Sequence, residues 1–273
     1  MKITAAEVNK LRQSTGAGMM DCKKALVESN GNFDKAIENL RKKGQKVAAN
    51  RADRNSSEGV VLAKVNSDNT EGILIALNCE TDFVAKNNTY LALANKILTI
   101  GLDKNNLDEL LAANFEEITV SEKLIEQTGV IGEKIEIGGF KKIKGNFVGH
   151  YIHSGNKIAT IVSLSSVVEG SDEVAKNISM QIAAMNPIAL NEEGVDSSLV
   201  EKEIEIAKEQ LRQEGKPEEM LDNIAKGKIK RFFKDNTLIN QSYIKDGKLS
   251  VHDYIKSINK DLHITDFARL ALI

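Results

Sequence analysis

The feature that most constrains the fold is a pattern of strands and helices that occurs twice along this chain. In the first copy, strand-like runs at residues 59–65 and 72–77 flank a Ser-Asp-Asn turn and predict a β-hairpin. In the second copy, similar runs at residues 146–153 and 157–164 flank a Ser-Gly-Asn turn. A helical pattern and then a later strand follow each hairpin. The sequence therefore predicts a duplicated unit.

The later elements complete the predicted architecture. Helices are predicted at residues 90–100 and 174–185, the second ending before Pro187. The third strands are predicted at residues 134–143 and 263–272. Each half then has a three-stranded antiparallel sheet with helices over one face, which is an α+β arrangement. If the two sheets lie near one another, they hold the loops of both halves on one scaffold.

The N-terminal residues 1–54 predict a small helical domain with its linker. Thr4 and Glu7 fit a capping box at the start of the first helix. A second helix is predicted over about residues 21–29 and a third from about residue 32. Three short helices give only the marginal core expected of a very small domain. The basic, polar stretch at residues 41–57 is predicted to be the linker. The predicted core subdomains follow at residues 55–144 and 145–273.

A charged insertion at about residues 198–236 predicts an antiparallel helical hairpin, or coiled coil. Its turn is Gly215-Lys216-Pro217, with glycine after one helix and proline opening the next. The predicted seam residues are Val200, Ile204, Ala207, Leu211, Leu221, Ile224, Lys228 and Phe232. A helix pair that buries so little is expected to project from its domain. The sequence leaves two alternatives for this hairpin: it contacts a partner, or it is a solvated arm without one.

A strand-to-helix turn at residues 78–87 supplies the first candidate binding site. Thr81 or Asp82 could cap a short helical turn, because either side chain can accept from a free backbone N–H. Capping does not explain why Phe83 stands beside a carboxylate at a turn, where chains usually lie at the surface. An exposed aromatic next to an acid can enter a partner's surface. A capped, half-buried turn is the alternative.

Two further candidates are a methionine pair and a histidine. Met19 and Met20 are adjacent on a short helix and point in different directions, so that burying both in a small bundle is difficult. Core packing of both is the alternative. His153 lies at the end of a strand, where a histidine satisfied by backbone groups or water is the alternative. His150 and His153 lack a third metal ligand at suitable spacing.

Composition and missing motifs exclude several function classes. Hydrophobic residues make up 41% and charged residues 28%, an ordinary balance, and the net charge of −2 gives no basic field for nucleic acid. Cys22 and Cys79 are too few for a disulfide framework or a four-cysteine zinc site. Phosphate-binding loops and nucleophile motifs are missing, as are membrane-length apolar runs and a signal peptide. We therefore expect a cytoplasmic protein that is not an enzyme and needs no cofactor or metal.

Two long motifs resemble the signatures of the bacterial translation elongation factor Ts family. They are Thr15-Gly16-Ala17-Gly18-Met19-Met20-Asp21-Cys22-Lys23-Lys24-Ala25-Leu26 and Asn78-Cys79-Glu80-Thr81-Asp82-Phe83-Val84-Ala85-Lys86-Asn87. The resemblance implies a ubiquitin-associated-like fold for the N-terminal helices and a coiled coil that reaches toward the partner. It also implies a guanine nucleotide exchange factor for elongation factor Tu, which disturbs magnesium and phosphate contacts so that GDP leaves and GTP can bind.

The resemblance also implies roles for particular residues. In the family, one set of positions contacts elongation factor Tu near its magnesium and phosphate site, and these positions correspond here to Thr81, Asp82, Phe83, Val84 and His153. A second set grips a helix of the nucleotide-binding domain and corresponds to Arg12, Met19, Met20 and Lys23. Direct binding of nucleotide, nucleic acid or membrane by this chain is not expected. The alternative is a non-enzymatic helical adaptor that binds several partners through its N-terminal bundle.

Overall fold

Three helices open the chain in the computed structural model, which describes residues 3–272. They are α1 (Ala5–Thr15), α2 (Met19–Glu28) and α3 (Phe33–Arg51). The predicted capping box is present, because the Glu7 N–H donates to Thr4 Oγ1 at 3.3 Å and the Thr4 N–H donates to Glu7 Oε2 at 2.8 Å. We call these three helices the N-terminal module. Its small core is formed by Val8, Leu11, Ala17, Cys22, Ala25, Leu26 and Ala36.

The first repeat follows the module. Its elements are β1 (Glu58–Val65), β2 (Glu71–Cys79), α4 (Asp82–Ala85), α5 (Asn88–Gly101), α6 (Leu107–Ala112), β3 (Asn114–Phe115), β4 (Ile118–Thr119), α7 (Val120–Ile131) and β5 (Glu136–Lys144). The long strands form an antiparallel sheet in the order β1-β2-β5.

The second repeat has the same plan. Its elements are β6 (Phe147–Ile152), β7 (Ile158–Leu164), α8 (Ser171–Met185), α9 (Ser197–Gln213), α10 (Glu218–Asn236), β8 (Ser242–Tyr243), β9 (Asp246–Ser250), α11 (Val251–Ile258) and β10 (Ile264–Ala271). Its sheet has the order β6-β7-β10 and is also antiparallel. In both sheets the second strand of the hairpin is central, so the predicted α+β fold with two three-stranded sheets is confirmed.

The two sheets pack face to face. Along β2, Ile73, Ile75 and Leu77 point toward α5 and α7, whereas Leu74 and Ala76 point toward the second sheet. Alternate side chains of a strand point to opposite faces, so a strand that is buried on both faces reads as a continuous apolar run. Helices α8 and α11 cover the outer face of the second sheet. The loops that leave the two sheets are thereby fixed on one scaffold.

The prediction of a linker at residues 41–57 is wrong for most of that stretch. Helix α3 continues to Arg51 and packs along α7, with Gly44 buried against Gly129. A Cβ added at Gly129 would lie 2.4 Å from the Gly44 Cα, so the two backbones are in direct contact. The inner strip of α3 uses small residues, and the basic residues occupy its outer face. The basic, polar composition of this stretch therefore led to the wrong prediction, because these residues form a packed helix.

The charged insertion forms the predicted helical hairpin from α9 and α10. Its buried seam consists of Ala207, Leu211, Leu221 and Ala225. Ala225 takes the buried position that was predicted for Ile224, and the predicted seam residue Lys228 is half-buried and donates from Nζ to Gln210 Oε1 of α9 at 3.2 Å. Small alanines on both helices permit close approach. The base of the hairpin joins the second repeat through the Ile188 N–H and Asn236 carbonyl, 2.9 Å apart.

The predicted boundaries at 54/55 and 144/145 fall in the connections from α3 to β1 and from β5 to β6. Among residues 3–272, no helix has both the length and the apolar character needed to cross a bilayer.

Candidate partner-binding surface

The turn between β2 and α4 is held by a carboxylate from a distant loop. Glu133 Oε2 accepts from the backbone N–H groups of Glu80 and Thr81 at 3.1 and 3.0 Å, and Glu133 Oε1 accepts from Thr81 Oγ1 at 2.7 Å. Thr81 occupies the N-cap position, but its side chain makes no capping bond. The Asp82 carboxylate accepts from Lys86 Nζ at 2.6 Å. The predicted cap from Thr81 or Asp82 is therefore wrong, because other partners engage both side chains.

Glu80 fixes the start of the turn from the other side. Arg51 Nη1 donates to its two carboxylate oxygens at 2.7 and 2.9 Å, and the Lys134 N–H donates to Oε1 at 2.6 Å. Burial raises the pKa of Glu80, but the bonds from Lys134 and Arg51 outweigh it and hold the pKa below its usual value. The end of α3 is thus joined to the candidate turn.

Phe83 is the most exposed large apolar side chain of the turn. Its exposed fraction is 84%, whereas Val84 is half-buried against the core of the first repeat and Ala85 is buried. Leaving an aromatic side chain in water forgoes about 1.5–3 kcal/mol of burial free energy. The half-buried alternative holds for Thr81, Asp82 and Val84 and is wrong for Phe83. Folding therefore uses Thr81 and Val84 and leaves Phe83 available.

Asp82 stands beside Phe83 and carries an accessible charge. Its side chain is 45% exposed and its partner Lys86 is 76% exposed. The hydrogen bond from Lys86 lowers the pKa of Asp82, so the carboxylate is ionised at neutral pH. An exposed ion pair of this kind stabilises a fold little. The carboxylate can therefore exchange Lys86 for another positive partner at small cost.

His153 lies just past the end of β6 and is exposed. Its Nδ1 is 3.1 Å from Tyr151 Oη, and its backbone N–H donates to the Ile158 carbonyl at 2.9 Å. The backbone is therefore fixed by the hairpin, and the ring is oriented by a neighbouring tyrosine. The imidazole keeps its Nε2 edge directed away from this contact, where a partner can reach it.

The turn and the His153 loop lie against the same strand. Helix α4 packs on β1 and β2. The Val61 N–H of β1 donates to the Asn156 carbonyl of the His153 loop at 2.7 Å, and Lys157 pairs with Glu58 at the start of β1. Glu58 also adds to the raised pKa of Lys86, whose main cause is the bond to the carboxylate of the turn. The two predicted contact loops thus share one edge of the scaffold.

The N-terminal module presents its own exposed surface. Met19 is 46% exposed and Met20 is 74% exposed, so the alternative that both pack in the core is wrong. Arg12 and Lys23 are also exposed. Val27, seven residues after Met20 on the same helix, is 55% exposed and extends the surface. Sequence reasoning missed Val27, although its helical spacing from Met20 was a usable signal.

The cysteines of the chain pack in its interior. Both cysteines are free and buried, and burial raises the pKa of the Cys79 thiol. The part of the chain from residue 3 to residue 272 contains no group of three or more histidine, cysteine or acidic side chains placed to hold a metal ion.

Comparison with known proteins identifies the family. The family model described as elongation factor TS matches residues 80–272. This chain belongs to the elongation factor Ts family. A curated elongation factor Ts from Christiangramia forsetii is 64% identical over 271 residues, which cover 99% of each protein. One from Flavobacterium psychrophilum is 64% identical over 270 residues, covering 99% of this chain and 98% of that one.

More distant elongation factor Ts proteins also match the whole chain. One from Porphyromonas gingivalis is 44% identical over 275 residues, covering 100% of this chain and 99% of that one. The alignments include the N-terminal module as well as the region from residue 80 onward that the family model matches. Membership of the elongation factor Ts family assigns the chain to translation elongation in protein biosynthesis.

Proposed function

We propose that this chain is a non-enzymatic guanine nucleotide exchange factor for elongation factor Tu that acts in the cytoplasm. It binds the GDP-bound partner and inserts the Asp82–Phe83 turn, which disturbs magnesium and phosphate contacts so that GDP leaves and GTP can bind. The observation that carries the proposal is an 84% exposed phenylalanine, adjacent to a carboxylate, on a turn held by three hydrogen bonds to Glu133.

The chemistry of the turn suits this task. A phenylalanine side chain offers a large apolar area and enters packed regions as a rigid ring. The Asp82 carboxylate is ionised and adds negative charge close to a site where a cation and phosphates are bound. The inserted ring separates a packed loop, and the carboxylate competes for the positive groups there. Because Glu133 fixes the base of the turn, less conformational entropy is lost on insertion.

The other predicted contact residues have two different roles. His153 reaches the partner near the phosphates from the same edge of the scaffold as Phe83. The exposed module residues Arg12, Met19, Met20 and Lys23 supply affinity through a separate surface. Exchange requires that this protein and GDP weaken each other's hold on the partner, and thermodynamic linkage makes that coupling equal in both directions. The turn supplies the coupling, and the module supplies binding that does not depend on nucleotide.

The test is stopped-flow release of fluorescent GDP from elongation factor Tu, measured together with affinity for the nucleotide-free partner. We expect Phe83→Ala to slow release by about tenfold, equivalent to ~1.4 kcal/mol of activation free energy, and to retain most of the affinity. Asp82→Ala acts in the same direction with a smaller effect. We expect Met20→Ala to weaken binding by about 1–3 kcal/mol, as for a buried interface anchor.

Val167→Ala is the matched control, because Val167 is 69% exposed and lies outside both predicted contact surfaces. It is expected to leave release and affinity unchanged. Release at the wild-type rate with Phe83→Ala would refute the role of the turn and leave exchange to the His153 side.

A further inference from the structure

The helices α3 and α7 form a close pair that connects the N-terminal module to the first repeat. Their backbones touch where Gly44 meets Gly129, because a Cβ at Gly129 would lie 2.4 Å from the Gly44 Cα. A Cβ at Gly44 would lie 3.5 Å from the Ile125 carbonyl oxygen. Contact between backbones leaves little room for sliding or rotation. The module is therefore packed on the core and does not hang from a flexible connection.

The ends of this helix pair meet at the base of the candidate turn. Helix α3 ends with Arg51, whose guanidinium binds both oxygens of Glu80. Just past the end of α7, Glu133 accepts from two N–H groups and one hydroxyl of the turn, and the Lys134 N–H donates to Glu80. All these contacts are made to Glu80 and Thr81, directly before Asp82.

The same helix pair also contacts the loop and the helix that carry the exposed methionines. A Cβ at Gly16 would lie 3.8 Å from Val130 Cγ1 of α7, so the loop that precedes Met19 lies beside this helix. Asp21, in the first turn of α2, forms an ion pair with Lys43 of α3. The α3–α7 pair therefore touches the elements that carry both predicted contact surfaces.

The contacts of Arg51 and Glu133 are not ordinary surface ion pairs. The Glu80 side chain is 17% exposed and that of Arg51 is 33% exposed, so solvent only partly replaces the bond if it is lost. Glu133 joins the loop after α7 to a segment more than fifty residues earlier in the chain. Removing either group frees the base of the turn on one side while leaving the apolar cores untouched.

We propose that Arg51 and Glu133 are positioning residues for the Asp82–Phe83 turn, and that the α3–α7 pair sets the distance between this turn and the exposed methionines of the module. The proposal rests on the proposed exchange function. Neither residue needs to touch the partner. Arg51 holds the turn from the end of α3, and Glu133 holds it from the loop after α7. Because α3 packs directly on α7, the turn and the module are presented to the partner at a fixed separation.

The first experiment uses the free chain and measures amide hydrogen exchange at Glu80 and Thr81. We expect Glu133→Ala to speed exchange of both amides by about tenfold, because each loses a hydrogen-bond acceptor. Glu133→Gln is the conservative variant, since an amide oxygen can still accept from these N–H groups. It is expected to restore most of the protection. Amides of the central strand β2 are the internal reference, and equal loss of protection there would overturn the positioning role.

The second experiment measures release of fluorescent GDP from elongation factor Tu. We expect Arg51→Met and Glu133→Ala to lower the maximal release rate several-fold, while affinity for the nucleotide-free partner changes less than about twofold. Arg51→Lys is expected to recover part of the rate. Arg54→Met is the matched control, because Arg54 acts on Glu80 through charge alone and the Arg51 guanidinium also donates hydrogen bonds. It is expected to release GDP at the wild-type rate.

Phe83→Ala is measured in parallel and separates the two proposals. If Phe83→Ala releases GDP slowly while Arg51→Met and Glu133→Ala release it at the wild-type rate, the positioning role is refuted and the exchange function stands. If Phe83→Ala itself releases GDP at the wild-type rate, the proposed role of the turn fails. A loss of affinity equal to the loss of release rate in Arg51→Met would also overturn the proposal, because a displaced turn should affect release more than binding.

Discussion

Glu80 and Asp82 are two residues apart in one motif, yet their surroundings differ. The Glu80 side chain is 17% exposed and bonded to Arg51, whereas the Asp82 side chain is 45% exposed and paired with the exposed Lys86. One carboxylate therefore holds the turn, and the other is available to a partner. A motif that resembles a family signature does not separate these two roles, but burial and hydrogen bonding do.

The carboxyl of Glu80 is predicted to make the stability of the chain depend on pH. Its folded-state pKa lies below the ordinary 4.5, because the Lys134 N–H and Arg51 outweigh the effect of burial. Its stabilising contribution is complete above the unfolded-state pKa and is lost as pH falls through the folded-state pKa. Urea unfolding of wild type and Glu80→Gln should therefore differ by a constant free energy between about pH 7 and 5.5. The difference should shrink below about pH 4.5, and one that persisted unchanged to about pH 3 would contradict this assignment.

Single residues also show what the sequence could and could not predict. It was predictable that Met19 and Met20 are not both buried, because adjacent helical positions cannot both face a small core. The hydrogen bonds from Arg51 to Glu80 and from Thr81 to Glu133 join residues 29 and 52 positions apart. Such pairings leave no periodic signal in one sequence. Sequence reasoning therefore found the tip of the turn and missed the groups that hold it.

For helix α3, too, the sequence did not reveal which contacts the residues make. Its inward strip includes Gly44 and Ala48, which face α7. Small residues give almost no hydrophobic periodicity, and the surrounding lysines resemble a solvated linker. The apolar run of β2, by contrast, predicted a buried strand. That prediction was right, because other elements cover both faces of β2. The predicted third strands at 134–143 and 263–272 lie close to the observed Glu136–Lys144 and Ile264–Ala271.

Replacement by alanine is predicted to have opposite effects on stability at two helical glycines, Gly129 of α7 and Gly227 of α10. A Cβ at Gly129 would clash with the Gly44 backbone, so Gly129→Ala should lower the free energy of unfolding by about 1–3 kcal/mol. A Cβ at Gly227 of α10 would have no atom within 4 Å. Gly227→Ala should instead stabilise the chain by up to about 1 kcal/mol, because alanine is the better helix former. Denaturant unfolding of both variants tests the pair, and destabilisation by both would show that helix propensity is not the deciding term at Gly227.

At the scale of the whole molecule, the two repeats differ in what they add to a common plan. The first carries the Asp82–Phe83 turn and receives the N-terminal module through α7. The second carries the His153 loop and the α9–α10 hairpin. The face-to-face sheets hold these additions in fixed relation, because their central strands, β2 and β7, are buried on both faces. The duplicated order of elements made this plan predictable, whereas the docking of the module on α7 was not.

The α9–α10 hairpin is predicted to be separable from the core of the second repeat. Its buried side chains, among them Leu211 and Leu221, pack within the hairpin, and its connection to the second repeat lies at the base. There the Leu238 N–H donates to the Ala189 carbonyl at 2.9 Å. Replacing residues 202–234 with a short turn keeps this hydrogen bond and the one from the Ile188 N–H to the Asn236 carbonyl. We expect the sheets to unfold cooperatively at an unchanged temperature, because no part of their cores is removed.

Two leucine variants provide the comparison, since Leu211 and Leu238 are both buried but lie in the hairpin and at its base respectively. Leu238→Ala should lower the stability of the core by about 2–5 kcal/mol, whereas Leu211→Ala should loosen the hairpin alone. Calorimetry of the three proteins distinguishes the cases. Loss of the cooperative transition in the shortened chain would mean that the hairpin is part of the core. With the core intact, affinity of the shortened chain for nucleotide-free elongation factor Tu then decides between a binding arm and a solvated one, because only a binding arm lowers affinity when it is removed.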